Sequence, residues 1–234
     1  MTQTAQQTKS EEPHYHGHRD RLRARFLENG PEALQDYELL ELVLFMAIPR
    51  RDVKPLAKTL LARFGDLPSL LGASAEELMK VDGVSENTAI ALKAITATAH
   101  RMMKRELLLK PVMSSWDKLM DYCMTTMAHE TREHFRVLFL NRKNQLIADE
   151  IQHSGTVDQT AAYPREIFKR ALDLGATALI LVHNHPSGEA KPSQADIDMT
   201  RQIVRAGEPF GIVIHDHVIV SRGGTSSFKS LGLL

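Results

Sequence analysis

Apolar residues in the first half of the chain recur at the three- and four-residue spacing of helices. The run 56–64 places its leucines and its phenylalanine on one helix face. Asp36 is predicted to cap another helix, which ends before Pro49 because proline cannot continue it. The tetrapeptide 74–77, Ser-Ala-Glu-Glu, has the pattern of a capping box, which marks a further helix start. Since no part of residues 14–110 alternates as a strand does, we predict a small all-α domain there.

The pattern changes after residue 111, where short runs rich in β-branched and aromatic residues begin. The predicted strands cover residues 135–140, 146–151, 179–182, 212–214 and 218–220. The predicted helices between and before them cover residues 116–127, 164–174 and 193–206. Strands that alternate with helices indicate an α/β layered domain. A domain boundary is therefore predicted near residue 111, with a second domain over 111–234.

Composition and charge narrow the class of protein. Apolar residues make up 43% and charged residues 25% of the chain, as in ordinary globular domains. The 29 basic and 29 acidic residues cancel, so the positive charge that favours nucleic-acid binding is missing. No run reaches the ~18 consecutive apolar residues of a membrane span, and residues 1–13 are predicted to be a polar, disordered tail without a secretion signal. Cys123 is the only cysteine, which excludes an intrachain disulfide and favours the cytoplasm.

The candidate chemistry lies directly after the predicted strand at 179–182. His183 and His185 are two residues apart, so a strand would project both imidazoles to the same side, towards one ion. Pro186 and Gly188 then turn the chain, and Ser193 opens a helix whose first turn carries Asp196. Two imidazoles and a carboxylate are a suitable set of zinc ligands, and the fourth position would stay open for water, as in catalytic sites.

Each of these pieces has an ordinary explanation on its own. His-x-His pairs occur by chance, and Ser193 with Asp196 is also a common way to begin a helix. Together, however, they follow one pattern without a gap: His-x-His, seven residues, Ser, two residues, Asp. This pattern resembles the JAMM signature of the MPN-domain metallopeptidases at every defined position.

The JAMM resemblance implies roles for two further residues and a cofactor. The family has a catalytic glutamate before the first strand of the domain, and Glu133 is the matching position, with Glu130 as its nearest rival and a solvated helix end as the alternative. Ser193 matches the family serine that donates to the oxyanion. The implied cofactor is one Zn²⁺ per chain on His183, His185 and Asp196. The implied reaction is attack of a metal-activated water on an amide or isopeptide bond of a protein or peptide.

Further segments extend the resemblance to one bacterial family. The sequence reads Thr-Arg-Glu-His-Phe at 131–135, Ser-Gly-Thr at 154–156, His-Asn-His-Pro-Ser-Gly at 183–188 and Asp-His-Val-Ile at 216–219. These segments look like the bacterial RadC family, and the similarity covers nearly all of residues 14–234. It implies an α/β JAMM/MPN domain, layered like a cytidine deaminase, preceded by a small all-α helix-hairpin-helix domain.

The hairpin of that first domain leaves two functions open. Residues 78–92 resemble a helix-hairpin-helix motif, which presents backbone N–H groups to a phosphate. However, Ser85 stands where a second glycine is usual, and the carboxylate of Glu86 would repel a phosphate. The arginines that could contact DNA are equally explained as a solvated helix face: Arg19, Arg21, Arg23, Arg25, Arg50 and Arg51. DNA contact and protein docking are both compatible with this domain.

Rival interpretations of the whole chain follow from these alternatives. A DNA-binding or DNA-repair accessory protein could use the JAMM domain as a scaffold, whereas a nucleobase deaminase would need a Pro-Cys-x-x-Cys segment that one cysteine cannot supply.

His215 and His217 form a second His-x-His with no downstream carboxylate, which favours a supporting hydrogen-bonding role over ligation. Asn184 and Ser187 are predicted to shape the turn after the first pair. The substrate and the oligomeric state stay open.

Overall fold

The computed structural model describes residues 16–154 and 163–234. By its contacts the chain divides into two compact units, Met1–Lys93 and Ala94–Leu234. The predicted disordered tail over 1–13 and the last two residues of the 154–156 segment lie outside the described residues. Within the described ranges, no helix is long and apolar enough to cross a membrane.

Short helices build the first unit, as the apolar spacing predicts. They are α1 (His16–Asn29), α2 (Asp36–Ala47), α3 (Lys54–Phe64), α4 (Leu67–Gly72), α5 (Ala75–Met79) and the beginning of α6 (Glu86–Leu109). Each helix contributes at least one buried apolar side chain to a single core, including Leu22, Leu44, Leu60, Leu70, Leu78 and Leu92. The prediction of an all-helical first segment is confirmed.

Two helix starts in this unit show how the local sequence sets the boundaries. At α5, the N–H of Glu77 donates to the Ser74 hydroxyl over 3.1 Å and the Ser74 N–H donates to the Glu77 carboxylate over 3.0 Å, which confirms the capping box. At α2 the cap is Gln35, whose N–H donates to the Glu38 carboxylate. The prediction of Asp36 as the cap is therefore wrong by one residue.

Helix α6 is longer than the apolar pattern indicates. It continues to Leu109, and the division between the two contact-defined units falls inside it, upstream of residue 111. Its first part, including Leu92, packs in the core of the first unit, and Leu107 packs in a core of the second.

A five-stranded mixed sheet forms the centre of the second unit. The elements that follow α6 are α7 (Trp116–Met127), β1 (His134–Leu140), β2 (Leu146–Ser154), α8 (Pro164–Asp173), β3 (Ala178–Asn184), α9 (Gln194–Gly207), β4 (Val213–Ser221) and β5 (Gly224–Ser227). The strand order is β2-β1-β3-β4-β5, and only β3 and β4 pair in parallel. Helices cover both faces of the sheet, so the predicted α/β layered architecture is confirmed.

Alternation along the strands separates the two apolar cores. Leu138 and Leu140 of β1 face the core that contains α7 and the end of α6. Phe135, Val137 and Phe139 face the core that contains α8 and α9. Strand β3 is buried along its whole length because it lies between β1 and β4 and between both helical layers. Any polar side chain near its end must therefore find partners within the protein.

The strand boundaries differ from the prediction at the C-terminal end of the chain. The runs predicted at 212–214 and 218–220 form one strand, β4, because its polar residues find buried partners. The Asp216 carboxylate accepts hydrogen bonds from the backbone N–H groups of His217 (2.8 Å) and Lys229 (3.0 Å). Strand β5 was not predicted, because its sequence Gly-Thr-Ser-Ser carries no apolar alternation.

The fold makes Cys123 a reporter of unfolding. Cys123 is fully buried in α7, and burial raises the pKa of its thiol to about 12. Since the thiolate is the reactive species, we expect the native protein to leave a disulfide-exchange reagent unreacted at neutral pH and to react with it on unfolding in urea. The measurement is the absorbance of the released thiol. Rapid labelling of one thiol per native chain would contradict the buried placement, and Cys123→Ser controls for background.

Candidate metal centre

Strand β3 and the turn after it position the two predicted histidine ligands. His183 lies within β3 and is only 1% exposed. His185 follows the strand, and its N–H donates to the Val220 carbonyl of β4 over 2.8 Å. The Gly188 N–H donates to the His185 carbonyl over 3.2 Å, and Gly188 adopts a φ of +95°, which glycine tolerates without strain. The predicted turn is thus confirmed, and it keeps His185 beside His183.

Helix α9 supplies the carboxylate through its capping box. Ser193 is the cap, and the backbone N–H and hydroxyl of Ser193 both donate to Asp196 Oδ2, over 2.7 and 2.6 Å. The Asp196 N–H donates back to the Ser193 hydroxyl over 3.2 Å. These bonds engage Oδ2, and Asp196 Oδ1 lies 3.2 Å from His183 Nε2. The helix start therefore directs the second carboxylate oxygen to His183.

The three donor groups converge with the spacing of metal ligands. His183 Nε2 lies 2.9 Å from His185 Nε2, which in turn lies 3.5 Å from Asp196 Oδ2. Ligands ~2.0–2.1 Å from a tetrahedral zinc ion are about 3.3 Å apart, so these separations fit such an ion. Within the part of the chain that the structure describes, His183, His185 and Asp196 form the group whose donor atoms could hold a metal.

Local charges and hydrogen bonds favour the ionised form of the Asp196 carboxylate and the protonated form of His185. Burial alone would raise the pKa of Asp196, but the neighbouring side chains of His183, His185 and Ser193 hold that pKa well below its usual range. The hydrogen bond to Asp196 raises the pKa of His185, against the opposing effect of burial. His185 Nδ1 lies 3.0 Å from the Glu189 carbonyl, which can only accept a hydrogen bond, so Nδ1 carries a proton and Nε2 faces the group.

Glu133 lies one residue before β1, at the edge of this group. It is half-buried, and its negative charge is one of the causes that raise the pKa of His185. Its rival Glu130 is exposed and lies 3.7 Å from His134 in an ion pair. The electrostatic interaction with His185 distinguishes Glu133 from Glu130, and the catalytic role of Glu133 stays a prediction.

Asn184 connects Glu133 to the histidines, a role that the sequence analysis missed. Its Oδ1 accepts from the His134 N–H over 2.8 Å, and its Nδ2 donates to the Arg132 carbonyl over 2.9 Å. These are the peptide groups on either side of Glu133. The prediction that Asn184 shapes the turn is wrong, because alternate residues of a strand face opposite sides and Asn184 points away from His183 and His185. The signal that could have indicated this role is the position of Asn184 in the sequence, between the two candidate ligands His183 and His185.

His217 of the second His-x-His pair makes the predicted supporting hydrogen bond to the first pair. His217 Nε2 lies 2.7 Å from His183 Nδ1, on the far side of that ring from the candidate metal position. His215 lies elsewhere, with its Nε2 2.7 Å from the Asn144 side-chain oxygen. A register shift of β4 at His215 breaks the strand alternation there, and the two imidazoles contact different partners.

Several of the arginines considered for phosphate contact have partners inside the first unit. Arg19 donates to the Ile48 and Arg51 carbonyls, and Arg51 donates to the carbonyl of Gly83 in the hairpin between α5 and α6. Arg25 pairs with the buried Glu38. These bonds stabilise the helical unit, and both DNA contact and the helix-hairpin-helix pattern stay predictions.

Comparison with known families agrees with this geometry. The family model described as RadC-like JAB domain matches residues 113–233, more than half of the chain. The chain belongs to the RadC family. The model described as UPF0758 N-terminal matches residues 16–90, within the helical unit. The RadC resemblance noted in the sequence is confirmed, and the JAB match identifies the domain around His183 and Asp196 as one of the JAMM/MPN type.

Any zinc ion held by His183, His185 and Asp196 of this RadC-family chain is expected to bind more weakly as the pH falls. Protonation of His185 occupies its ligand atom Nε2, and the pKa of His185 lies above its ordinary value of about 6.5. Below that raised pKa, the zinc association constant should fall up to about tenfold per pH unit, and above it the dependence should disappear. In metal-free protein the same proton stabilises the fold at low pH, and this contribution is lost as the pH rises through the raised pKa.

Competition against a zinc-chelating dye across this pH range measures the effect. The variant His215→Asn is the control, because His215 lies outside the group and should leave the profile unchanged. An association constant that does not change with pH would show that zinc and this proton do not compete.

Removing the Asn184 side chain should destabilise the RadC-family fold without removing a ligand. Asn184→Ala leaves the His134 N–H and the Arg132 carbonyl without their partner, and such a loss typically costs about 1–3 kcal/mol in the free energy of unfolding. Urea denaturation measures the change, and the exposed Asn87→Ala should stay within about 0.5 kcal/mol of wild type. An unchanged unfolding midpoint for Asn184→Ala would mean that the two hydrogen bonds contribute nothing net.

Proposed function

We propose that the C-terminal domain is a zinc-dependent hydrolase of the JAMM metallopeptidase type, which cleaves an amide or isopeptide bond of a protein or peptide. The convergence of His183, His185 and Asp196 carries this proposal. A structural zinc site would use a fourth protein ligand, and none joins the group among the described residues. Membership of the RadC family, with its JAB domain, supports the same conclusion.

The donor set suits zinc at neutral pH. Two imidazoles and one carboxylate would hold the ion, and the bound ion would polarise a water molecule and lower its pKa towards ~7. Asp196 supplies a permanent negative charge because its pKa is lowered. The His185 side chain is the most exposed of the three, at 18%, whereas His183 is at 1%, so water and substrate would approach from the His185 side.

Glu133 is proposed as the general base. Its carboxylate would accept a proton from the attacking water and then deliver it to the amine that leaves when the carbon–nitrogen bond breaks. Two observations support this role: the charge of Glu133 acts on His185, and Asn184 holds the peptide groups on both sides of Glu133. A general base must stay within hydrogen-bond reach of the water. The hydrogen bonds of Asn184 restrict the backbone that carries Glu133 and so help to keep its carboxylate in place.

Ser193 is proposed to donate a hydrogen bond to the carbonyl oxygen of the substrate. In the structure its only hydroxyl proton points to Asp196 Oδ2. Donation to a substrate therefore requires the hydroxyl to rotate away from Asp196. The Ser193 N–H keeps its own bond to Oδ2 at 2.7 Å, so the carboxylate would stay anchored during that rotation.

A panel of variants tests metal binding and hydrolysis together. Wild type is expected to hold about one zinc per chain, and His183→Ala and Asp196→Ala should lose it. Glu133→Gln should keep the zinc and lose hydrolysis by at least about 100-fold, because it cannot accept the proton. Metal content is measured by elemental analysis. Hydrolysis is measured by mass spectrometry as new amino groups in a proteome-derived peptide library and in isopeptide-linked peptides.

Glu130→Gln is the matched control, because it removes the same charge three residues away and should leave both metal content and hydrolysis unchanged. If the wild-type chain holds no zinc after reconstitution, the hydrolase proposal is wrong. If zinc binds but no bond is cleaved in either library, the JAMM domain acts as a scaffold, and DNA binding that survives chelation would then favour the accessory role.

A further inference from the structure

A row of buried polar groups extends from His183 into the protein interior. His183 Nδ1 lies 2.7 Å from His217 Nε2, and His217 Nδ1 lies 2.6 Å from the Thr200 hydroxyl oxygen. That hydroxyl lies 2.6 Å from the Asp196 backbone carbonyl. Thr200 and His217 are 1% and 0% exposed, so water does not compete for these contacts. The row therefore links one candidate ligand, His183, to the helix that carries another, Asp196.

The carbonyl end of this row sets the direction of its hydrogen bonds. A carbonyl oxygen can only accept, so the contact between Thr200 and Asp196 requires the single hydroxyl proton of Thr200. Threonine in a helix commonly donates to the carbonyl four residues before it. The Thr200 oxygen must then accept from His217, which means that the proton of the His217 ring is on Nδ1.

The surroundings of His217 keep its ring neutral, with one proton only. The ring packs between Phe135, at 5.8 Å edge-to-face, and Phe228, at 4.5 Å stacked. Complete burial among apolar rings disfavours the charged imidazolium form of His217. With its proton on Nδ1, the ring offers a bare Nε2 to His183. His183 must then place its own proton on Nδ1, and its Nε2 lone pair faces His185 and Asp196.

We propose that Thr200 is a positioning residue that acts through His217 to set the tautomer of His183 required for metal binding. Thr200 does not contact the metal position, yet its one proton decides which nitrogen of each ring behind it is protonated. The inference rests on the proposed function in one respect: the Nε2 lone pair of His183 has a role only if a metal binds there. The tautomers themselves are properties of the metal-free chain and are measurable without zinc or substrate.

Replacing the Thr200 hydroxyl with a methyl group should reverse the direction of the hydrogen bond between His217 and His183. In Thr200→Val, the Nδ1–H of His217 would face a methyl group, and buried N–H groups without an acceptor are rare. The proton is expected to move to Nε2, where it can donate to His183 Nδ1. His183 would then carry its proton on Nε2, at the metal position, and zinc affinity should fall about 10–100-fold. Thr200→Ser keeps the hydroxyl and is the matched control.

Long-range ¹H–¹⁵N correlation spectra of metal-free protein labelled with ¹⁵N-histidine, at about pH 8, identify the protonated nitrogen of each ring. His217→Gln assigns the His217 signals by their loss. Wild type and Thr200→Ser should show Nδ1–H at His183 and His217, and Thr200→Val should show Nε2–H at both. Zinc titration of the same samples, by dye competition, gives the affinities.

The outcomes separate this inference from the proposed function. Nε2–H at His217 or His183 in wild type would overturn the inference, as would a Thr200→Val variant that binds zinc as tightly as Thr200→Ser. If Thr200→Val does not fold, the wild-type spectrum and the Thr200→Ser variant still decide the tautomers. Absence of peptide cleavage in wild type would count against the hydrolase proposal alone, because neither the tautomers nor zinc affinity depend on turnover.

Discussion

The burial of polar groups at the end of β3 is the constraint on which the rest of this site depends. His183 and Asn184 are each 1% exposed, and an unsatisfied polar group in such a place would cost more than most single contacts contribute. Each side chain therefore needs partners from another element. His183 finds His217 on β4, and Asn184 finds the peptide groups beside Glu133, so the two faces of β3 organise the two halves of the candidate active site.

The start of helix α9 shows one set of hydrogen bonds serving both folding and chemistry. The capping box between Ser193 and Asp196 satisfies backbone N–H groups that any helix start leaves exposed. The same bonds occupy Asp196 Oδ2 and direct Oδ1 to His183. The helix cap and the candidate carboxylate ligand are therefore parts of one hydrogen-bonded structure, and a substitution at Ser193 would change both.

Asn184 connects the strand that carries His183 to the segment that carries Glu133. It lies between His183 and His185 in sequence, while its amide group holds the segment that carries Glu133. The separation between a metal position and a general base must be kept within a fraction of an ångström for proton transfer to be efficient. Hydrogen bonds on both sides of Glu133 meet this requirement directly, because they attach the proposed base to the same strand that carries His183.

The sequence by itself determined the helical first unit, the α/β class of the second, and the grouping of His183, His185 and Asp196, because these depend on local spacing: helical periodicity, strand alternation and a capping box. It missed β5, it divided β4 in two, and it misassigned Asn184. Only the tertiary structure decided that His217 lies behind His183, that Thr200 ends this row, and that Asn184 holds the Glu133 segment. Those contacts join residues that are distant in sequence. They are necessary because the polar groups are buried away from water, and no local sequence pattern records that burial.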